Sequence, residues 1–120
     1  MRVCYPPIWM LNERAVRALH YDRATDEAKL EVKDARSPAV GGPRALEGQL
    51  LLDAAGFLVG VDLGGEGMAR TVVMLGPHEK VARTSPTRVF VVSDASGSPI
   101  EVRVKRAKEA LRGGEKNPYV

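Results

Sequence analysis

The sequence predicts a mainly β domain: a small antiparallel sandwich or partly open barrel built from β-hairpins, with a short C-terminal α-helix. Three observations lead there. LLDAAGFLVGVDL (51–63) and VVSDASGSPIEVRV (91–104) both contain Asp-Ala-small-Gly followed by alternating apolar residues. Period two recurs in EAKLEVK (27–33), where Ala28, Leu30 and Val32 point inward while Lys29, Glu31 and Lys33 point outward. Helical spacing is confined to VKRAKEALRGG (104–114).

Taken in order, residues 1–14 form an N-terminal arm, and IWMLNER (8–14), entered through Pro6-Pro7, reads as a helical turn or an irregular segment. VRALHYD (16–22) and EAKLEVK flank Arg-Ala-Thr as a first hairpin, and DARSPAVGGPRA (34–45), with two prolines and two glycines, reads as a loop. In the two repeats, Asp53 and Asp94 accept hydrogen bonds from the turn backbone, and Gly56 and Gly97 supply the positive φ that closes the loop. Phe57, Val59, Val61 and Leu63 then share one face, as do Ile100, Val102 and Val104. RTVVMLG (70–76) and RVFVV (88–92) are apolar on both faces, so they are central strands or contribute a face to an oligomer. GPHEKVARTSPT (76–87) reads as a turn and a polar loop. The helix of 104–114 places Ala107, Ala110 and Leu111 on one side, with Gly113 as C-cap. The organisation is one β-rich domain over 1–112 and a flexible tail over 113–120.

Composition narrows the partners. The 120 residues are 44% hydrophobic and 28% charged, which is globular, and no apolar run reaches the roughly 20 residues of a membrane-spanning helix. Pro-Pro interrupts any secretory core near the N-terminus, and Cys4 has no partner for a disulfide, so a cytoplasmic location is expected. The net charge of +3 lies entirely in the last twenty residues, where six basic residues face three acidic ones. The first hundred residues are neutral, which argues against a broad cationic surface.

YDRATDEAKLEV (21–32) followed by LLLDAAGFLVGVDL (50–63) resembles a small bacterial domain family of unknown function, with the pattern YDxExDxLYI and then DxxGxLVGIE. Tyr21, Asp22, Asp26, Asp53, Gly56, Leu58, Val59, Gly60, Val61 and the acidic Asp62 match, while Ala24 and Lys29 depart from it. The resemblance implies a β-meander and carries no catalytic residues.

The candidate chemistry is sparse. In VDLGGEGMAR (61–70) the glycines are followed by Met-Ala-Arg and a strand, not by Lys-Ser/Thr or a helix N-terminus, so a phosphate cradle lacks its physical basis and a connector beside Arg70 is expected. His20 and His78 lie far apart and Cys4 is isolated, so no metal site is assigned; His20 reads as a half-buried strand residue and His78 as a solvated turn residue. Pairings of Cys4 with His20, or of Ser85 or Ser93 with His78, lack an orienting acid, so no catalytic residue, cofactor or small-molecule substrate is assigned. The expected function is protein binding or self-association as an adaptor, scaffold or regulatory subunit. Ile8, Trp9, Met10 and Leu11 are the anchoring surface, and the strand containing Val73 and Leu75 is a dimer element. The alternative is nucleic-acid association through Arg103, Lys105, Arg106, Lys108 and Arg112 on the C-terminal helix, without aromatic residues to stack on bases.

Overall fold

Short local turns organise the strands. A computed structural model describes residues 12–33, 37–64, 71–107 and 117–119. Its strands are β1 (Asn12–Asp22), β2 (Glu27–Val32), β3 (Arg44–Leu52), β4 (Leu58–Gly64), β5 (Thr71–Met74), β6 (Arg83–Ser93) and β7 (Pro99–Lys105), with a 3-10 turn at His78–Lys80. They close into a barrel in the order β1-β2-β7-β6-β3-β4-β5. An odd number of strands cannot alternate in direction all the way round a ring. One parallel seam is therefore needed, and it is β1 against β5, with Asn12 opposite Thr71 and Ala15 opposite Met74. The architecture is thus mainly β as expected, but a closed barrel replaces the sandwich or partly open barrel, because this seam pairs the two strands left at the edges. Strand β2 lies beside β7 and not β3, so residues 21–63 form two separate hairpins.

The repeated turns form as the sequence predicts. Asp53 Oδ1 accepts the N–H groups of Ala55 and Phe57, each at 2.9 Å, and Asp94 Oδ1 accepts those of Ser96 and Ser98 at 2.9 and 3.0 Å. Gly56 and Gly97 have φ of 95° and 87°, values that only glycine adopts without strain. The duplication extends one step further. Each returning strand carries a β-bulge at the same place, with Val59 extra between Leu58 and Gly60, and Ile100 extra between Pro99 and Glu101.

The bulge corrects the expected facing, because one extra residue reverses the alternation. Val61 and Leu63 point into the barrel with Leu58, whereas Val59 joins Leu51, Val72, Met74 and Val81 in a second cluster. Ile100 lies outside the interior cluster that holds Val102 and Val104. That interior, with Ala28, Leu30, Val73, Val89 and Val91, is the main core, each buried valine or leucine contributing about 1.5–3 kcal/mol.

Four further boundaries differ from the sequence reading. Residues 12–14 of the arm are strand, paired to 71–73. Arg44 and Ala45, placed in a loop, begin β3 opposite Val91 and Phe90. Strand β6 begins at Arg83, inside the expected polar loop; β7 pairs only with its residues 89–93, so Pro86, which has no N–H to donate, sits where β6 has no β7 partner. The C-terminal helix is not borne out. Val104 and Lys105 are strand, Arg106 turns with φ 53°, Ala107 is buried and donates its N–H to the Asp26 carbonyl at 3.1 Å, and no α-helix occurs among the described residues. Val104 is held in the sheet by two neighbours, Ala28 on β2 and Val89 on β6. The rest of the expected helix, 108–114, lies outside the described residues.

Candidate functional site

Strand directions sort the connections between two barrel ends. The end where β1 and β5 begin also receives the connection from β2 to β3, the connection from β4 to β5, and the Asp94 hairpin. Long connections on a rigid scaffold are where binding surfaces concentrate. Val40 lies there, 58% exposed, with its N–H bonded to the Ser93 carbonyl at 2.9 Å. Ile8, Trp9, Met10 and Leu11 lie outside the described residues; Asn12, which follows Leu11 in the sequence, begins β1 at this end. Arg70, also outside the described residues, precedes Thr71, the residue opposite Asn12.

The other expected contact residues sit elsewhere. Val73 is fully buried in the barrel interior, and Leu75 is half-buried against the same cluster. The second apolar face of β5 belongs to Val72 and Met74 and is covered within the chain by Val81 and Tyr119.

Arg103 and Lys105 are paired as strand residues on the barrel's outer face. Arg103 Nε donates to Glu101 Oε2 at 2.5 Å, and Lys29 Nζ is 3.7 Å from Glu101 Oε1. Lys105 pairs with Glu27 and lies 5.7 Å from the Phe90 ring centroid. Arg17 donates to Glu31 on the same side of the barrel. This is a solvated, nearly balanced ladder of partly exposed pairs, each of modest energy. Arg106 is exposed, while Lys108 and Arg112 lie outside the described residues.

The feature the sequence does not reveal is the docking of residues 117–119, which read there as part of a flexible tail. Asn117 is 5% exposed; its Nδ2 donates to the Leu58 carbonyl at 2.9 Å, and its Oδ1 accepts the Tyr119 N–H at 2.8 Å. The Tyr119 hydroxyl donates to Asp53 Oδ2 at 2.7 Å. Gly76 makes room for the ring, since a Cβ there would stand 2.5 Å from Tyr119 Cδ1. The available signal was the two-faced apolar strand 70–75, which needed a cover that the tail supplies.

This contact shifts both ionisations. Burial pushes Asp53 up, but the hydrogen bonds from Tyr119, Phe57, Ala55 and Gly56 outweigh it and leave the carboxyl below its ordinary value. Tyr119 is pushed up to about 12, first by burial and then by its bond to the Asp53 carboxylate. A folded value above the unfolded one means that this stabilisation is complete below about pH 10 and is lost as pH rises through the folded value. Absorbance titration at 295 nm is therefore expected to show a tyrosine ionising near pH 12 that disappears in Tyr119→Phe. Tyr21, raised by its hydrogen bond to Asp26, remains in both.

The histidines exchange their expected settings. A register shift between Val16 and Ala18 turns His20 outward, to 60% side-chain exposure and 3.5 Å from Glu31 Oε2. His78 is 17% exposed, with Nε2 3.2 Å from Glu13 Oε1. Asp62, which alternates with Val61 and Leu63, is nonetheless 1% exposed and accepts the Gly64 N–H at 2.8 Å. Among the described residues no three His, Cys, Asp or Glu side chains converge on a metal-binding arrangement, and no helix is long and apolar enough to cross a membrane. Compared with protein-family models, curated proteins and solved structures, the chain matches none.

Proposed function

We propose that this chain is a non-enzymatic binding domain, an adaptor, scaffold or regulatory subunit, whose partner is another protein or a second copy. The contact surface is the loop-bearing barrel end, where Val40 is exposed, with Ile8, Trp9, Met10 and Leu11 as anchors. The observation that carries this reading is the parallel seam. By pairing Asn12 with Thr71 it joins the apolar arm to the end where Val40 is exposed. Aromatic and Met side chains are enriched at interface cores, and Trp is a frequent anchor there. The nucleic-acid alternative loses support because Arg103 and Lys105 are engaged by Glu101 and Glu27.

Trp9 is the single tryptophan, so its fluorescence reports on the arm alone. Emission is expected to shift to the blue when partner is added, or as concentration rises if the partner is a second copy. A protein retained from native lysate by the wild-type chain is expected to be lost with Trp9→Ala, by at least about tenfold in affinity. Equal retention by both chains would remove the arm from the interface.

A further inference from the structure

We propose that the outer groove of β3, β4 and β5 is a docking site for an Asn-Pro-Tyr segment, and that a second copy of this chain supplies that segment by exchanging residues 117–119. The groove is a built site. Its floor is Leu51, Val59, Val72 and Met74, flanked by Val81. Asp53 presents Oδ2 to a hydroxyl, the Leu58 carbonyl accepts the Asn117 amide, and the missing Cβ of Gly76 admits an aromatic ring. Beyond the Tyr119 N–H to Asn117 bond within the tripeptide, residues 117–119 make their polar contacts with β4 and with the turn that precedes it.

Those contacts are the same whichever copy provides the tripeptide. Exchange conserves them, and reciprocal exchange closes into a two-fold dimer. The occupant is a second copy of this chain because the groove's polar groups are matched by Asn117 and Tyr119 themselves. A covalently attached tail has an effective concentration in the millimolar range, so exchange depends on chain concentration. This surface is separate from the loop-bearing end and does not rest on the role of Trp9.

The test uses two full-length variants. Tyr119→Ala keeps the groove and loses the anchor, whereas Gly76→Val keeps the anchor and fills the ring's space. Sedimentation of an equimolar mixture is expected to show a heterodimer at concentrations at least about tenfold below those at which either variant associates alone. The same heterodimer is expected when both variants also carry Trp9→Ala, which separates this outcome from failure of the loop-end interface. A mixture that sediments as two monomers overturns the proposal.

Should either variant fail to fold by circular dichroism, the ¹⁵N-labelled wild-type chain is titrated with unlabelled peptide GEKNPYV. Displacement is expected to move the Tyr119 amide signal saturably while those of Ala55 and Phe57 stay near their starting positions. The peptide with Phe in place of Tyr is expected to need at least about fivefold more, because it lacks the hydroxyl for Asp53. An unmoved Tyr119 signal at millimolar peptide overturns the proposal equally.

Discussion

Gly48→Ala is expected to destabilise the barrel by about 3 kcal/mol, read as a lowered urea midpoint at unchanged slope. Gly48 lies on β3 opposite Thr87, one residue before Gln49 pairs with Asp62. A Cβ there would stand 2.5 Å from the Asp62 carbonyl oxygen and 3.3 Å from Val89 Cγ2. The first neighbour is backbone and cannot rotate aside, so relief requires β3 and β4 to separate where the ring is closed. Separation is costly, because Asp62 is buried between Gln49 and Val72 and its carboxylate holds the Gly64 N–H. Gly42 is the control. A Cβ there meets nothing within 4 Å, so Gly42→Ala is expected to stay within about 0.5 kcal/mol of wild type. Equal stability of the two variants would mean that the β3–β4 approach is looser than the geometry shows.

What the sequence revealed was local. The Asp53 and Asp94 turns were readable because each is complete within five residues, and the inward set Ala28, Leu30 and Val32 because period two needs only one strand. The β1–β5 seam was not readable, since it joins residues nearly sixty positions apart and leaves no local mark. The start of β6 was hidden by Pro86 and its polar neighbours, which carry no apolar alternation although they pair with β3. The bulges at Val59 and Ile100 reversed an alternation that looked unbroken in sequence. For the anchoring surface, the sequence named the arm, and the seam supplied only the barrel end that it joins. The two-faced strand reads in sequence as central or as an oligomer face, and its cover within the chain was not legible because Tyr119, isolated in a polar tail, carries no periodicity to mark it.

The duplicated turn separates local from tertiary stabilisation. Asp53→Ala is expected to cost about 2–3 kcal/mol, because it removes acceptors for two turn N–H groups and for the Tyr119 hydroxyl at a site 9% exposed. Asp94→Ala removes the equivalent turn bonds, but its extra partner is the neighbouring Ser96 hydroxyl, which water readily replaces. Its effect is therefore expected to be smaller. Both carboxyls are held below the ordinary aspartate value, Asp53 by bonds that overcome burial and Asp94 chiefly by the Ser96 hydroxyl. A depressed folded value means that each contribution is present above about pH 4 and is lost as pH falls through the folded value. Acid unfolding of Asp53→Ala is thus expected to lose part of the wild-type pH dependence. A double-mutant cycle of Asp53→Ala with Tyr119→Phe is expected to give a coupling of about 1–2 kcal/mol, whereas Asp94→Ala with Tyr119→Phe is additive. Additivity in both cycles would show that the Tyr119 hydroxyl contributes nothing, leaving its ring over Gly76 and the Asn117 amide to hold the tail. Coupling in the first cycle alone would show that one copy of the turn has become a receptor for the chain's own C-terminus, while the other remains only a turn.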